Sequence, residues 1–389
     1  MFLFKFYNLC NYYIKKKMND QYKIIDTRDL DSFKQKTFSG YKKNDVISAV
    51  LKSIETKKVE NACNWCAECI ISGYALKLWE KLIIFGSRII HINNPNLPFY
   101  LLKKNRILFN QVERLGRARD NVLLLRNSQM IRNLFFDVVS TLTTSSKTKR
   151  YDKLPKIDEK EDFQFHNIQK RLCAQMNILP DNIMHFNDPD ELRIIINEFF
   201  TLLKNKQFGY DKCCYWVVWL IKWEQMHKKK KSSWTVDVRE VQGVPSKFCA
   251  DVIWVLWETI FEEMKIRSDD NISKHIQSLY GLFKFNYSSG KRNTRLPLLF
   301  NAIGYLTHHI NYNIPVRDDY KIFIQVQGNL NKMFMSKKIS EVNVEIKEQL
   351  QKESKKKMNQ KQLDKKHDVE IVENKIHLFN ELDSIIMGM

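Results

Sequence analysis

Between Asn44 and Pro98, apolar residues recur at helical spacing in three successive sets. The first is Val46, Ile47, Val50, Leu51 and Ile54. The second is Val59, Ala62, Cys63, Cys66, Ala67 and Ile70. The third is Ala75, Leu76, Trp79, Leu82, Ile83, Ile89 and Ile90. Each set forms one apolar stripe on a helix, the signature of a segment packed on a core by one side. Gly73 is placed to cap the second helix, and Asn94-Pro95 to stop the third. A longer helix is predicted over 121–142 from Leu124, Leu125, Ile131, Leu134, Phe135, Val138 and Leu142.

The pattern then lapses. Residues 143–162 are polar and charged, and 146–162 reads as a linker between a helical module over 44–145 and a second over 163–335. In the second module helices are predicted over 211–226, 245–266, 271–285, 295–311 and 317–335. Another begins at Asp188-Pro189, with Asp188 as N-cap and Pro189 at the first helical position. Residues 18–43 read as an irregular arm, and 336–375 as a disordered tether rich in lysine and glutamate. At the end, 376–389 regains an amphipathic pattern through Ile376, Phe379, Leu382, Ile385 and Ile386. A short apolar helix on a tether suits docking to a protein partner or folding back on its own domain. Residues 1–17 have their lysines after the apolar part rather than before it. They are read as an upstream extension, with an interfacial membrane anchor as the alternative.

Composition supports an all-α chain. Only 11 glycines and 8 prolines occur in 389 residues, too little turn chemistry for an antiparallel β protein. Eight cysteines lie at 10, 63, 66, 69, 173, 213, 214 and 249, without the spacing of a disulfide framework. Cys63, Cys66 and Cys69 lack a second pair at zinc spacing, so they are expected to be buried thiols, and no metal or cofactor is expected. No phosphate-binding loop, dinucleotide fingerprint or nucleophile signature is present, so no catalytic residue is assigned. A nuclease would need carboxylates that converge in space, which spacing alone does not reveal.

Charge adds a partner class. The formal net charge is +20, and most of it falls on the body between the arm and the tether, because residues 336–375 nearly balance lysine against acid. A basic body favours a polyanion such as nucleic acid. Three cationic clusters between helical segments are the candidate contacts: Lys147, Lys149, Arg150 and Lys153; Lys228, Lys229, Lys230 and Lys231; Lys291, Arg292 and Arg295. Each has an aromatic neighbour, Tyr151, Trp234 and Tyr287 in turn. Cations beside aromatic rings suit phosphate contact with base stacking, and solvated surface loops are the alternative.

Two resemblances follow. The stretch Val46–Pro98, especially Lys52–Pro95 with Leu78-Trp79, Leu82, Phe85 and Ser87 in the form LWxxLxxFxS before an Asn-Pro stop, resembles the C-terminal helical region of the replication-associated recombination protein A family of clamp-loader-like ATPases. The resemblance spans about 50 residues and lacks the Walker and arginine-finger elements, so it implies a helical fold and no ATPase activity. The usage of lysine, asparagine, isoleucine, phenylalanine and tyrosine points to an AT-rich genome. Phrases such as RNSQMIRNLFFDVVSTLTTS, HNIQKRLCAQMNILPD and SGKRNTRLPLLFNAIGYLTH resemble uncharacterised proteins of large nucleocytoplasmic DNA viruses. That implies a viral factory in the host cytoplasm, or the virion. The expected function is a non-enzymatic, nucleic-acid-associated accessory or scaffold in viral DNA replication, repair or packaging. A virion structural protein and a cryptic enzyme are the alternatives.

Overall fold

A computed structural model describes residues 20–342 apart from 117, 149–154 and 318–319, together with Gln360. The described residues form an all-α fold with one isolated bridge, Lys36 to Lys42, and no sheet. The helices are α1 (Lys43–Glu55), α2 (Val59–Ile71), α3 (Ala75–Ile89), α4 (Leu97–Leu115), α5 (Gln129–Thr144), α6 (Phe165–Arg171), α7 (Asp190–Leu203), α8 (Gly209–Lys229), α9 (Val252–Arg267), α10 (Asp270–Lys284), α11 (Arg292–Thr307) and α12 (Tyr320–Lys337). Among the described residues no helix is long and apolar enough to cross a membrane.

The three stripes become α1, α2 and α3. Val50, Ile54, Cys63, Cys66, Ile70, Leu78 and Leu82 are fully buried. Gly73, at φ +76°, ends α2: its N–H bonds to the Ile70 carbonyl and that of Tyr74 to the Cys69 carbonyl. A Cβ there would lie 2.7 Å from the Leu30 side chain, a second reason for glycine. Two later helices start at a capping acid, and the first therefore begins at Val252 rather than at the expected residue 245. Asp251 caps α9 by accepting from Ile253 N, and Asp269 caps α10 by accepting from Asn271 N and Ile272 N.

Two expected elements are different. The helix predicted over 121–142 is two pieces: a 3₁₀ stretch, Arg119–Asn127, and then α5, capped by Ser128. Long-range bonds cause the break. Asn127 donates to the Ile24 carbonyl and accepts from Ile24 N, while Arg132 donates to the carbonyls of Arg126 and Tyr22. Asp188 does not cap α7. Its carboxylate turns inward to the buried Arg239 guanidinium, at 2.5 and 2.7 Å, and accepts from Asp237 N and His185 N. Burial alone would raise the Asp188 pKa, but Arg239 and the two N–H groups hold it below the ordinary carboxylate value.

Helices from the two halves of the chain pack on one another. α3 lies on α11, α4 lies on α10, and α12 returns to cover α2 and α5. The arm before α1 is irregular, yet it buries Ile24, Phe33 and Phe38 in the same core. It is clasped by residues just beyond α12. Thr27 N bonds to the Val342 carbonyl, Arg28 to the Ser340 carbonyl, and Val342 N to Asp26. Residues 336–342 of the expected tether are therefore ordered. The remainder of the tether apart from Gln360, the segment carrying Ile376, Phe379, Leu382, Ile385 and Ile386, and residues 1–17 lie outside the described residues.

Candidate nucleic-acid interface

Of the first cationic cluster, Lys149, Arg150 and Lys153 lie outside the described residues, as does their aromatic neighbour Tyr151. Lys147 is described and is occupied. Its ammonium donates to the carbonyls of Leu142, Thr143 and Ser145 at 2.6–2.8 Å, satisfying the last turn of α5. Burial, with Lys57 nearby, pushes its pKa down to about 8. Lys147 closes a helix rather than offering a free charge.

The second and third clusters are joined. Lys228 pairs with Glu224 at 3.1 Å, and Glu224 pairs with Arg292 at 2.5 Å. Arg292 also bonds to Asp251 at 2.7 Å. All three members of the inner triad are buried, so Arg292 belongs to the core and not to a surface loop. Burial disfavours its charge, but Asp251 and Glu224 outweigh that and raise its pKa. Arg295 is buried as well and donates to the Phe283 carbonyl. Arg292 leaves the candidate set as a free cation because it is committed to two buried carboxylates, and Arg295 because it is buried, bonded to a carbonyl and 3.8 Å from Glu80. Trp234 and Tyr287 are also buried, so neither neighbour presents a ring face to a base. What the two clusters leave at the surface is the exposed run Lys228–Lys231 and the half-exposed Lys291, which pairs with Glu80 of α3 at 2.7 Å.

That last pair leads to a feature the sequence pattern does not announce. An open cleft of about 220 Å³ lies between α3, α4, α10 and the start of α11. Its walls are apolar, with Trp79, Ile84 and Phe85 from α3, Phe109 from α4, and Leu282 and Phe285 from the end of α10 and beyond. Phe109 and Phe285 pack with ring centroids 4.1 Å apart. Lys81, Arg88, Lys291 and Arg295 stand around it with the single acid Glu80. Lys81 and Arg88 are exposed, and among the described residues neither has a carboxylate partner. A signal is present in the chain: Lys77, Lys81 and Arg88 repeat at four and seven residues on the polar side of the third stripe. It is easily passed over, because the stripe itself is defined by its core side.

Cys63, Cys66 and Cys69 point into the core from α2, where burial raises each thiol's pKa. Among the described residues no group of three or more His, Cys, Asp or Glu side chains is arranged to hold a metal ion. Comparison with family models, with curated proteins and with solved structures finds no match to this chain.

Proposed function

We propose that the chain is a non-enzymatic nucleic-acid-associated accessory or scaffold protein. Its contact surface is the basic face running from the Lys228–Lys231 turn, past Lys291, to Lys81 and Arg88. The observation that carries this reading is the linkage of that face. Lys228, Glu224 and Arg292 form one ion-paired chain, and Lys291, the residue before Arg292, reaches Glu80 on α3. Lys228 is thereby fixed to the buried Glu224 and Lys291 to α3, while among the described residues Lys229, Lys230, Lys231, Lys81 and Arg88 have no carboxylate partner. Such a surface positions a phosphate backbone without reading sequence. The setting in viral DNA replication, repair or packaging comes from the sequence resemblances.

A salt titration of binding to an oligonucleotide tests the proposal. The logarithm of affinity should fall linearly with the logarithm of salt concentration. Replacing Lys229, Lys230 and Lys231 by Gln should flatten the slope by roughly 0.7–0.9 for each phosphate that is no longer neutralised. No binding at low salt, or binding indifferent to salt and to these substitutions, would overturn it in favour of a virion structural protein.

A further inference from the structure

We infer that the cleft beside α3 receives an unpaired base, so that the ligand of the basic face is single-stranded nucleic acid. This rests on the function proposed above and narrows it. Three features meet here. The first is the row Lys81, Phe85, Arg88 on α3. Residues four and seven apart share a helix face, and at 1.5 Å per residue the two cations lie about 10 Å apart along the axis, with the ring between them. Cations on both sides of an aromatic ring match a strand whose phosphates flank one splayed base. The second is the half-exposed aromatic surface. Phe85 and Phe109 are only partly buried, Phe109 packs on Phe285, and all three line the cleft. The third is size. About 220 Å³ is below the roughly 300 Å³ at which pockets begin to take drug-sized ligands, and it fits a single ring system. A duplex keeps its bases stacked inside and has nothing to place there.

An acidic peptide with an apolar anchor would meet the same cations and the same floor. The nucleic acid is favoured because the two exposed cations flank the Phe85 ring about 10 Å apart on one helix face and the space beside it fits one planar ring system, the order of phosphate, base and phosphate along a strand.

The test uses the full chain, a short oligothymidylate and a duplex of equal length, at one salt concentration. Phe85→Leu keeps the apolar volume and removes the ring face. It should weaken single-strand binding roughly tenfold and leave duplex binding within about twofold. Phe85→Ala should do the same or more, with circular dichroism confirming that the helices persist. Lys81→Gln should reduce the salt slope for the single strand. Equal affinity of the wild type for both oligonucleotides, with Phe85→Leu changing neither, would overturn this inference and leave the basic face intact. Binding of an acidic amphipathic peptide that depends on Phe85 while the oligothymidylate does not would overturn it too. Failure to bind either oligonucleotide would instead overturn the proposed function.

Discussion

Without the Arg292 guanidinium, Glu224 and Asp251 would face each other inside the protein with too little positive charge between them. Glu224 would keep Lys228 and the N–H of Val252, and Asp251 would keep the N–H of Ile253. Asp251 already has its pKa raised by burial and by Glu224. Breaking a buried ion pair by deleting one partner costs about 3–5 kcal/mol, because a charge is stranded rather than because the pair was strong. Arg292→Met keeps the aliphatic stem, so its effect in urea unfolding should isolate the charge and reach that range. Lys230→Gln, on the exposed turn, should stay within about 0.5 kcal/mol. A loss below about 1 kcal/mol for Arg292→Met would mean that the two acids find relief without the arginine. The chain shows a run of cations at 291–295, but the partners of Arg292 lie 41 and 68 positions earlier. No local pattern separates an arginine committed to buried acids from a lysine left in water. Lys291 and Arg292 are therefore neighbours in sequence with opposite roles.

At the scale of elements, the apolar stripes of α1, α2 and α3 were legible because their spacing is local and their caps, such as Gly73, sit where the stripe ends. The segment around residue 127 was not. Leu124, Leu125 and Ile131 keep a helical rhythm across the break, and the residues that cause it, Asn127 and Arg132, act on the arm about 100 positions away. The two accounts of this segment predict opposite signs for one substitution. In a continuous helix, Asn127→Ala would stabilise by up to about 0.7 kcal/mol, since alanine is the better helix former. In the observed structure it removes both bonds to Ile24 and leaves a backbone N–H and carbonyl without their partner. The expected outcome is destabilisation of about 1–3 kcal/mol, read from thermal or urea melting. A gain in stability would restore the uninterrupted helix.

For the whole molecule, the question is whether the segments 44–145 and 163–335 behave as separate bodies. Composition places a linker between them, and composition does not report what packs across it. In the structure, α3 and α4 give their inner faces to α11 and α10, so the cleft exists only where both segments meet. α12 inserts Val326, Leu330 and Phe334 over α2 and α5, with Phe334 against Phe136 and beneath the Arg132 guanidinium. Beyond it, Ser340 and Val342 hold the arm. A chain built in this way has no internal surface at which it can part without exposing a large apolar area. The full chain should therefore unfold in a single urea transition, with the tryptophans near α8 and the helix signal changing together. A fragment over 18–145 should be insoluble or lack cooperative melting, because it loses the cover supplied by α10, α11 and α12. If the fragment melts cooperatively alone and the full chain unfolds in two steps, the modules are independent. A cleft shared between them would then depend on their docking, and the proposed nucleic-acid binding should be lost at the first of the two transitions rather than the second.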